Sequence, residues 1–328
     1  MIPLSILDLA PVSAGSSVAD SFAASKALAQ HAEQLGYHRY WLAEHHNMPG
    51  IASAATSLLI SHLAAATSRI RLGAGGIMLP NHSPLVIAEQ FGTLATLYPN
   101  RIDLGLGRAP GSDQATARAL RRHKVETEAQ FPADIAELQQ YFAAARPDQL
   151  VQAVPGQGLN VPLWILGSSL YGAQLAAQLG LPYAFASHFA PGMMQQAAEL
   201  YRREFKPSAQ LDKPYLMLAL NVFAADTATE AKRLFSSLQQ QFVNLTRGTP
   251  GLLPKPVDSM DTIWQPHEKA YVQTALACSV VGDAAAVQQG IKDFIAKHNP
   301  DELMLTSMMH DPQARQTSYR IAAELRAE

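Results

Sequence analysis

The 328-residue chain is predicted to fold as a (β/α)8 TIM barrel with a lid-like insertion between its seventh and eighth strands. Three observations predict it. Short apolar runs alternate with helical segments eight times along the chain, the rhythm of parallel strands joined by crossover helices. The runs are continuously apolar, as strands covered on both faces must be. The polar residues best suited to chemistry fall at the C-terminal ends of those runs, where such barrels carry their sites. Residues 1–328 read as a single barrel domain with the insertion at 247–277.

In chain order, residues 4–12 read as the first buried strand. The helix after it carries Leu28, Ala32 and Leu35 at helical spacing and stops at Gly36. Strand two is 39–44, with a helix over 53–68. Strand three, 70–79, is interrupted by glycines, and Ser83–Pro84 open a helix to Leu97 as N-cap and first residue. Strand four is 101–108, followed by a long polar helical stretch over 113–145. Strand five, 162–169, leads into a helix ending at Gly180; strand six, 182–189, precedes a helix near 193–205. Strand seven is 215–225, and Thr227 and Glu230 stand in capping-box spacing after it. The proline- and glycine-rich segment 247–277 breaks the rhythm. Asp283 caps a further helix, strand eight is 302–309, and Asp311–Pro312 start the last helix.

A doubly wound open sheet is the competing architecture. It would place a phosphate loop after its first strand, where this chain has "LAPVSAGSSVAD". The stretch "GLGRAPG" begins like a dinucleotide fingerprint, but Pro110 occupies the third glycine position and the stretch follows a fourth strand.

Composition bounds the function. With 48% hydrophobic and 16% charged residues the chain can bury a core. A formal charge of −2 gives no electrostatic reason to bind nucleic acid or an anionic membrane. The lone Cys278 excludes an internal disulfide and a thiolate metal cluster, and fits a reducing cytoplasm. Asp8 and Pro11 interrupt the N-terminal apolar run, which does not read as a signal peptide, and no run is long enough to span a membrane.

The rim residues carry the chemistry. Glu44, His45 and His46 end strand two; Gly75 and Gly76 lie near the end of strand three; Arg108 ends strand four. Gly167, Ser168 and Ser169 end strand five, Ser187 and His188 strand six, Met308 and His310 strand eight. Glycines inside a strand mean either a bulge with tight barrel packing or the close approach of a flat ligand. Arg108 offers a permanent cation to a phosphate or carboxylate, or to a surface ion pair. "GSSLYG" turns strand into helix, with N–H groups and hydroxyls placed for an anion or an ordinary N-cap. For "EHH" three readings stand: a metal site completed by His82, His188 or His310, a histidine bonded to backbone, or proton transfer beside a cofactor.

The segments "YWLAEHHN", "RLGAGGIMLPNHSPLVIAEQFGTLATLYPNRIDLGLGRAPGSD" and "LWILGSSLYGAQLAAQLGLPYAFASHF" resemble the bacterial luciferase-like monooxygenases, and within them a single-gene subfamily of mostly unassigned substrate. The resemblance covers nearly the whole chain. It implies an FMN-dependent monooxygenase in which FMN arrives reduced from a transient, separate flavin reductase and O2 is used on a small apolar, aldehyde- or ketone-like substrate. It implies that His45 is catalytic with Glu44 as its orienting acid, that Gly75–Gly76 match a strand-three peptide, non-prolyl cis in some members, that lies against the flavin ring, and that Arg108 binds the phosphate. It places Gly167, Ser168 and Ser169 in the phosphate loop; luciferase itself has an acid where this chain has Ser168. His188 and Met308 are expected in the substrate pocket, no metal is expected, and a homodimer is implied through the helix 84–97. The alternatives are a deazaflavin-dependent dehydrogenase, a non-catalytic flavin-binding protein, and a metal-dependent hydrolase using His45 and His46.

Overall fold

A computed structural model of the chain describes residues 2–108, 114–120 and 130–324. Its strands are β1 (Leu4–Asp8), β2 (Arg39–Leu42), β3 (Arg71–Met78), β4 (Ile102–Gly107), β5 (Leu163–Gly167), β6 (Tyr183–Phe185), β7 (Leu216–Ala224), β8 (Ser279–Gly282) and β9 (Glu302–Thr306). Its helices are α1 (Val18–Gln34), α2 (Thr56–Ala64), α3 (Pro84–Leu97), α4 (Gln114–Leu120), α5 (Gln130–Phe142), α6 (Leu170–Leu179), α7 (Met194–Glu204), α8 (Ala228–Thr246), α9 (Pro266–Ala275), α10 (Ala284–His298) and α11 (Pro312–Glu324). All ladders between these strands are parallel. The order β1 to β7 closes through β9 back to β1, forming an eight-stranded TIM barrel.

Two expectations change. Residues 279–282 form a strand, β8, that lies outside the closed barrel and pairs only with the second half of β7, from Asn221 to Ala224. The expected eighth barrel strand is therefore the ninth in sequence. In the helical stretch expected over 113–145 the described residues form α4 and α5, and residues 113 and 121–129 lie outside the described residues. The segment 247–277 is partly regular. It contains α9 and is pinned to the barrel mouth by the Ser13–Leu253 bridge and by Leu253 N–H donating to Val12 O at 2.9 Å.

Strand period decides which side chains enter the barrel. Leu4, Ile6, Tyr40, Leu42 and Ile165 point outward and pack in the shell between strands and helices. Leu7, Trp41, Trp164, Met217 and Met304 point inward and pack together in a middle layer. Trp41 and Trp164 meet edge to face, centroids 5.1 Å apart. Below them lies a charged layer: the Arg39 guanidinium donates to Asp103 at 2.8 Å and to both oxygens of Glu302 at 2.8 and 3.0 Å. Ser5 and Tyr215 also donate to Glu302, and Trp41 Nε1–H donates to Asp103. Burial works against the Arg39 charge, but Asp103 and Glu302 outweigh it and hold the proton more firmly than usual. The bottom is thus plugged by paired charges and the middle by aromatic packing, leaving the C-terminal end open.

The glycines of β3 and β4 let these two strands close. A Cβ on Gly76 would stand 2.7 Å from Gly105 O, one on Gly73 would stand 2.7 Å from Asp103 O, and one on Gly105 would meet the Ala74 carbonyl. The β3–β4 register shifts between Ala74 and Ile77, so the bulge reading of "GAGG" holds.

Candidate active site

The open end is a cavity of about 590 Å³. Its floor is the inward layer, including Leu7, Trp41, Leu166, Met217 and Met304. Around the rim it takes in His45 after β2, Gly75 and Gly76 of β3, and Arg108 after β4. It also takes in Gly167, Ser168 and Ser169 at the β5–α6 turn, His188 after β6, and Met308 after β9. These predicted site residues, drawn from six of the nine strands, meet at one hollow.

The Gly75–Gly76 peptide is cis. Glu44 N–H donates to Gly76 O at 3.3 Å, tying the chain just before His45 to that peptide. The two glycines present backbone to the cavity, because a Cβ on Gly75 would stand 2.8 Å from Leu7 Cδ1 and 3.1 Å from Trp41. Packing removes the side chains, and the same removal leaves a flat wall.

The Glu44 carboxylate is buried and is not among the residues that line the cavity. It accepts from His46 Nε2 at 2.7 Å, from His82 Nε2 at 2.9 and 3.0 Å, and from Met78 N–H at 3.0 Å. Burial would raise this carboxyl, but the bonds from His82, His46 and Met78 outweigh it and hold it below its ordinary value. Glu44 therefore anchors the loop that carries His45. His46 turns away from the cavity onto Glu44, and only His45 of the two lines it. Among the described residues no three His, Cys, Asp or Glu side chains group as a metal ion requires.

One side of the cavity suits an anion. Arg108 is exposed at the rim, its guanidinium 4.2 Å from the centroid of the Tyr171 ring. Ser169 is the N-cap of α6 and makes no side-chain cap bond, so its hydroxyl is not spent on the helix. The Tyr171 hydroxyl is buried without a hydrogen-bond partner among the described residues. A cation, a helix N-terminus and two uncommitted hydroxyls converge there. The residues present therefore fit a group that combines a phosphate with a flat ring.

His188 sits on the β6 side. Its Nδ1 is buried and has no partner among the described residues, and its backbone carbonyl accepts from Asn221 Nδ2 at 2.6 Å. Burial, and then the neighbouring charge of His45, push its pKa down to about 3, so this imidazole is neutral near pH 7. The coupling to His45 puts the two imidazoles within each other's electrostatic reach.

Sequence reading missed several lining residues. Trp41 could have been placed by alternation with Leu42. Gln241 was legible as a polar residue inside the α8 stripe of Leu238, Phe242 and Leu245, all of which line the cavity. Thr306 closes β9, and Tyr171 opens the second position of α6. Phe131, in the first turn of α5, carried no signal that tied it to this end of the barrel.

A family model described as luciferase-like monooxygenase matches residues 2–298. A protein named luciferase-like monooxygenase from Escherichia coli K12 is 58% identical over 327 residues, covering 100% of this chain and 98% of the relative. The solved structure of apo-MsnO8 is 33% identical with a TM-score of 0.87, covering 100% of this chain and 99% of that one. The fold is also shared by an FMN complex of the oxygenating constituent of 3,6-diketocamphane monooxygenase from Pseudomonas putida, at 16% identity, TM-score 0.75 and coverage of 98% and 97%. The chain therefore belongs to the luciferase-like monooxygenase family and is a flavin-dependent oxidoreductase.

Proposed function

We propose that this protein is an FMN-dependent monooxygenase that uses O2 to oxidise a small, largely apolar organic molecule of aldehyde or ketone type. The observation that carries the reading is the pairing, within one cavity, of an anion-suited end at Arg108 and the β5–α6 turn with a bare glycine wall on β3. A bound flavin supplies the reducing electrons and the site of oxygen activation. Arg108, Ser168, Ser169 and the first N–H groups of α6 hold the phosphate and so fix the ring's position. Gly75 and Gly76 let the ring lie against backbone. His45 is the group that accepts or delivers a proton at the ring face, because His188 is held neutral. The apolar floor and the 247–277 segment keep water from the reacting atoms.

The flavin is read as arriving reduced from a separate reductase by transient contact. The protein is read as cytoplasmic; no described helix is long and apolar enough to cross a membrane. A homodimer through α3 is supported by Leu58, Val86 and Leu97, which α2 and α3 leave exposed at 71%, 43% and 58%.

Parallel titrations with FMN and with a deazaflavin test the cofactor, and oxygen uptake with reduced FMN over aldehydes, ketones and aromatic compounds tests the reaction. FMN binding with substrate-dependent oxygen uptake is expected. Preferential deazaflavin binding would favour the dehydrogenase, and flavin binding without substrate-dependent uptake would favour a carrier.

A further inference from the structure

Four residues that line the cavity each hold a buried polar atom with no hydrogen-bond partner among the described residues: Tyr171 Oη, His188 Nδ1, Gln241 Oε1 and Thr306 Oγ1. Tyr171 belongs to the anion-suited end. The other three lie on the β6, β7 and β9 side. Thr306 pairs in register with Asn221 of β7, and Asn221 in turn donates to the His188 carbonyl. Gln241 projects from the α8 stripe among Leu238, Phe242 and Leu245. Each orphaned atom costs stability, because a buried polar group without a partner forfeits its water and gains nothing in exchange. A leucine or methionine at 241 would complete the apolar stripe without that cost.

We propose that Gln241, Thr306 and His188 form a specificity site that takes one neutral hydrogen-bonding group of the substrate, a hydroxyl or an amide, while the substrate's apolar body lies on the α8 stripe. All three atoms can accept a hydrogen bond, so the group they recognise must donate one. Thr306 can also donate, so a group that both donates and accepts satisfies the site best. A carboxylate or an ammonium does not fit. Arg108 is the only Lys, Arg, Asp or Glu among the described lining residues, and it stands at the end of β4. His188 stays neutral and offers no countercharge. A charged headgroup here would lose its hydration without a partner.

This deepens the monooxygenase reading and rests on it for the reaction: the recognised hydroxyl or amide is a second group of the substrate, distinct from its reacting carbonyl, and the binding test needs no flavin. Binding of 1-octanol, octanamide, octanal and octanoate to the purified protein is measured by calorimetry, with the fluorescence of Trp41, which lines the cavity, as a second readout. Octanol or octanamide is expected to saturate the site, whichever fits better naming the group. Octanal, which cannot donate, and octanoate, which is charged, are each expected to bind roughly tenfold more weakly, about the effect of one hydrogen bond.

Gln241→Met and Thr306→Val should each weaken the preferred neutral probe by a similar roughly tenfold factor. Each should also raise the melting temperature of the ligand-free protein. A residue held by structural partners would do the opposite and lose stability. Octanoate binding as tightly as octanol and octanamide, unchanged binding in both variants, or no saturable binding of any neutral probe would overturn the proposal. FMN titration of the same samples keeps the two readings apart: failure to bind FMN sinks the flavin assignment, and failure of the probe series sinks this one.

Discussion

Replacing Glu44 by alanine separates an anchoring role from a catalytic one. The substitution removes the acceptor for Met78 N–H and for the Nε2 atoms of His46 and His82. A backbone N–H left without a partner costs roughly 1–3 kcal/mol. The two imidazoles are 17% and 27% exposed, so water can take over part of their bonds, and each loss is discounted to about 0.5–1 kcal/mol. The sum is about 3 kcal/mol, read as a lower urea midpoint at unchanged slope. The Glu44 carboxyl is held below its ordinary value in the folded protein. Its contribution is therefore complete above the ordinary carboxylate range and is lost as pH falls through the lowered folded value. The gap between wild type and Glu44→Ala should be widest at neutral pH and shrink in acid. Wild-type stability at pH 7.5 combined with loss of oxygenation would refute the anchoring role and return Glu44 to the chemistry.

Arg108→Ala should weaken FMN binding by about 10- to 100-fold, the worth of one charge-assisted bond, while riboflavin, which lacks the phosphate, changes little; fluorescence titration of both flavins checks it. Gly76→Ala puts a methyl 2.7 Å from the Gly105 carbonyl, a backbone atom that cannot swing aside. It should cost roughly 1–3 kcal/mol in chemical denaturation, and an unchanged midpoint would contradict the closeness of β3 and β4. For His188 the folded pKa is about 3 against 6.5 for an ordinary imidazole, so between these values the unfolded chain takes up the proton first. Stability should fall with pH across that window by up to about 1.4 kcal/mol per pH unit, some 2 kcal/mol by pH 5. His188→Phe should flatten the slope by that amount, and an unchanged slope would mean that His188 is not buried as described.

Much of the barrel was legible because its signals are local. Helix α3 runs from Pro84 to Leu97 as Ser83–Pro84 predicted, and Thr227 caps α8 through a bond from Glu230 N–H at 3.2 Å. Strand β8 was missed for a physical reason. "SVVG" is four residues long and directly precedes Asp283, the N-cap of the next helix, so it merges with the helix signal. Its existence depends on the unusual length of β7, whose nine residues pair in turn with β6, β9 and β8. The partners of Glu44 were hidden differently. His82 lies 38 residues away, and no local pattern says that a carboxylate after one strand will meet an imidazole after the next.

The glycines of β3 bear on how such patterns are read. Packing and ligand approach were set out as rival explanations for "GAGG", yet the distances make them one device. Gly73 and Gly76 are bare because β4 comes too close for a Cβ, and Gly75 because Leu7 and Trp41 fill the barrel beside it. Once the side chains are gone, the peptide between Gly75 and Gly76 lines the cavity together with Met78 of the same strand. A substitution that spoiled only the ligand wall without touching the packing does not exist at Gly76. Loss of flavin binding and loss of stability should therefore appear together there, whereas Arg108→Ala, at the exposed rim, should lose flavin binding alone.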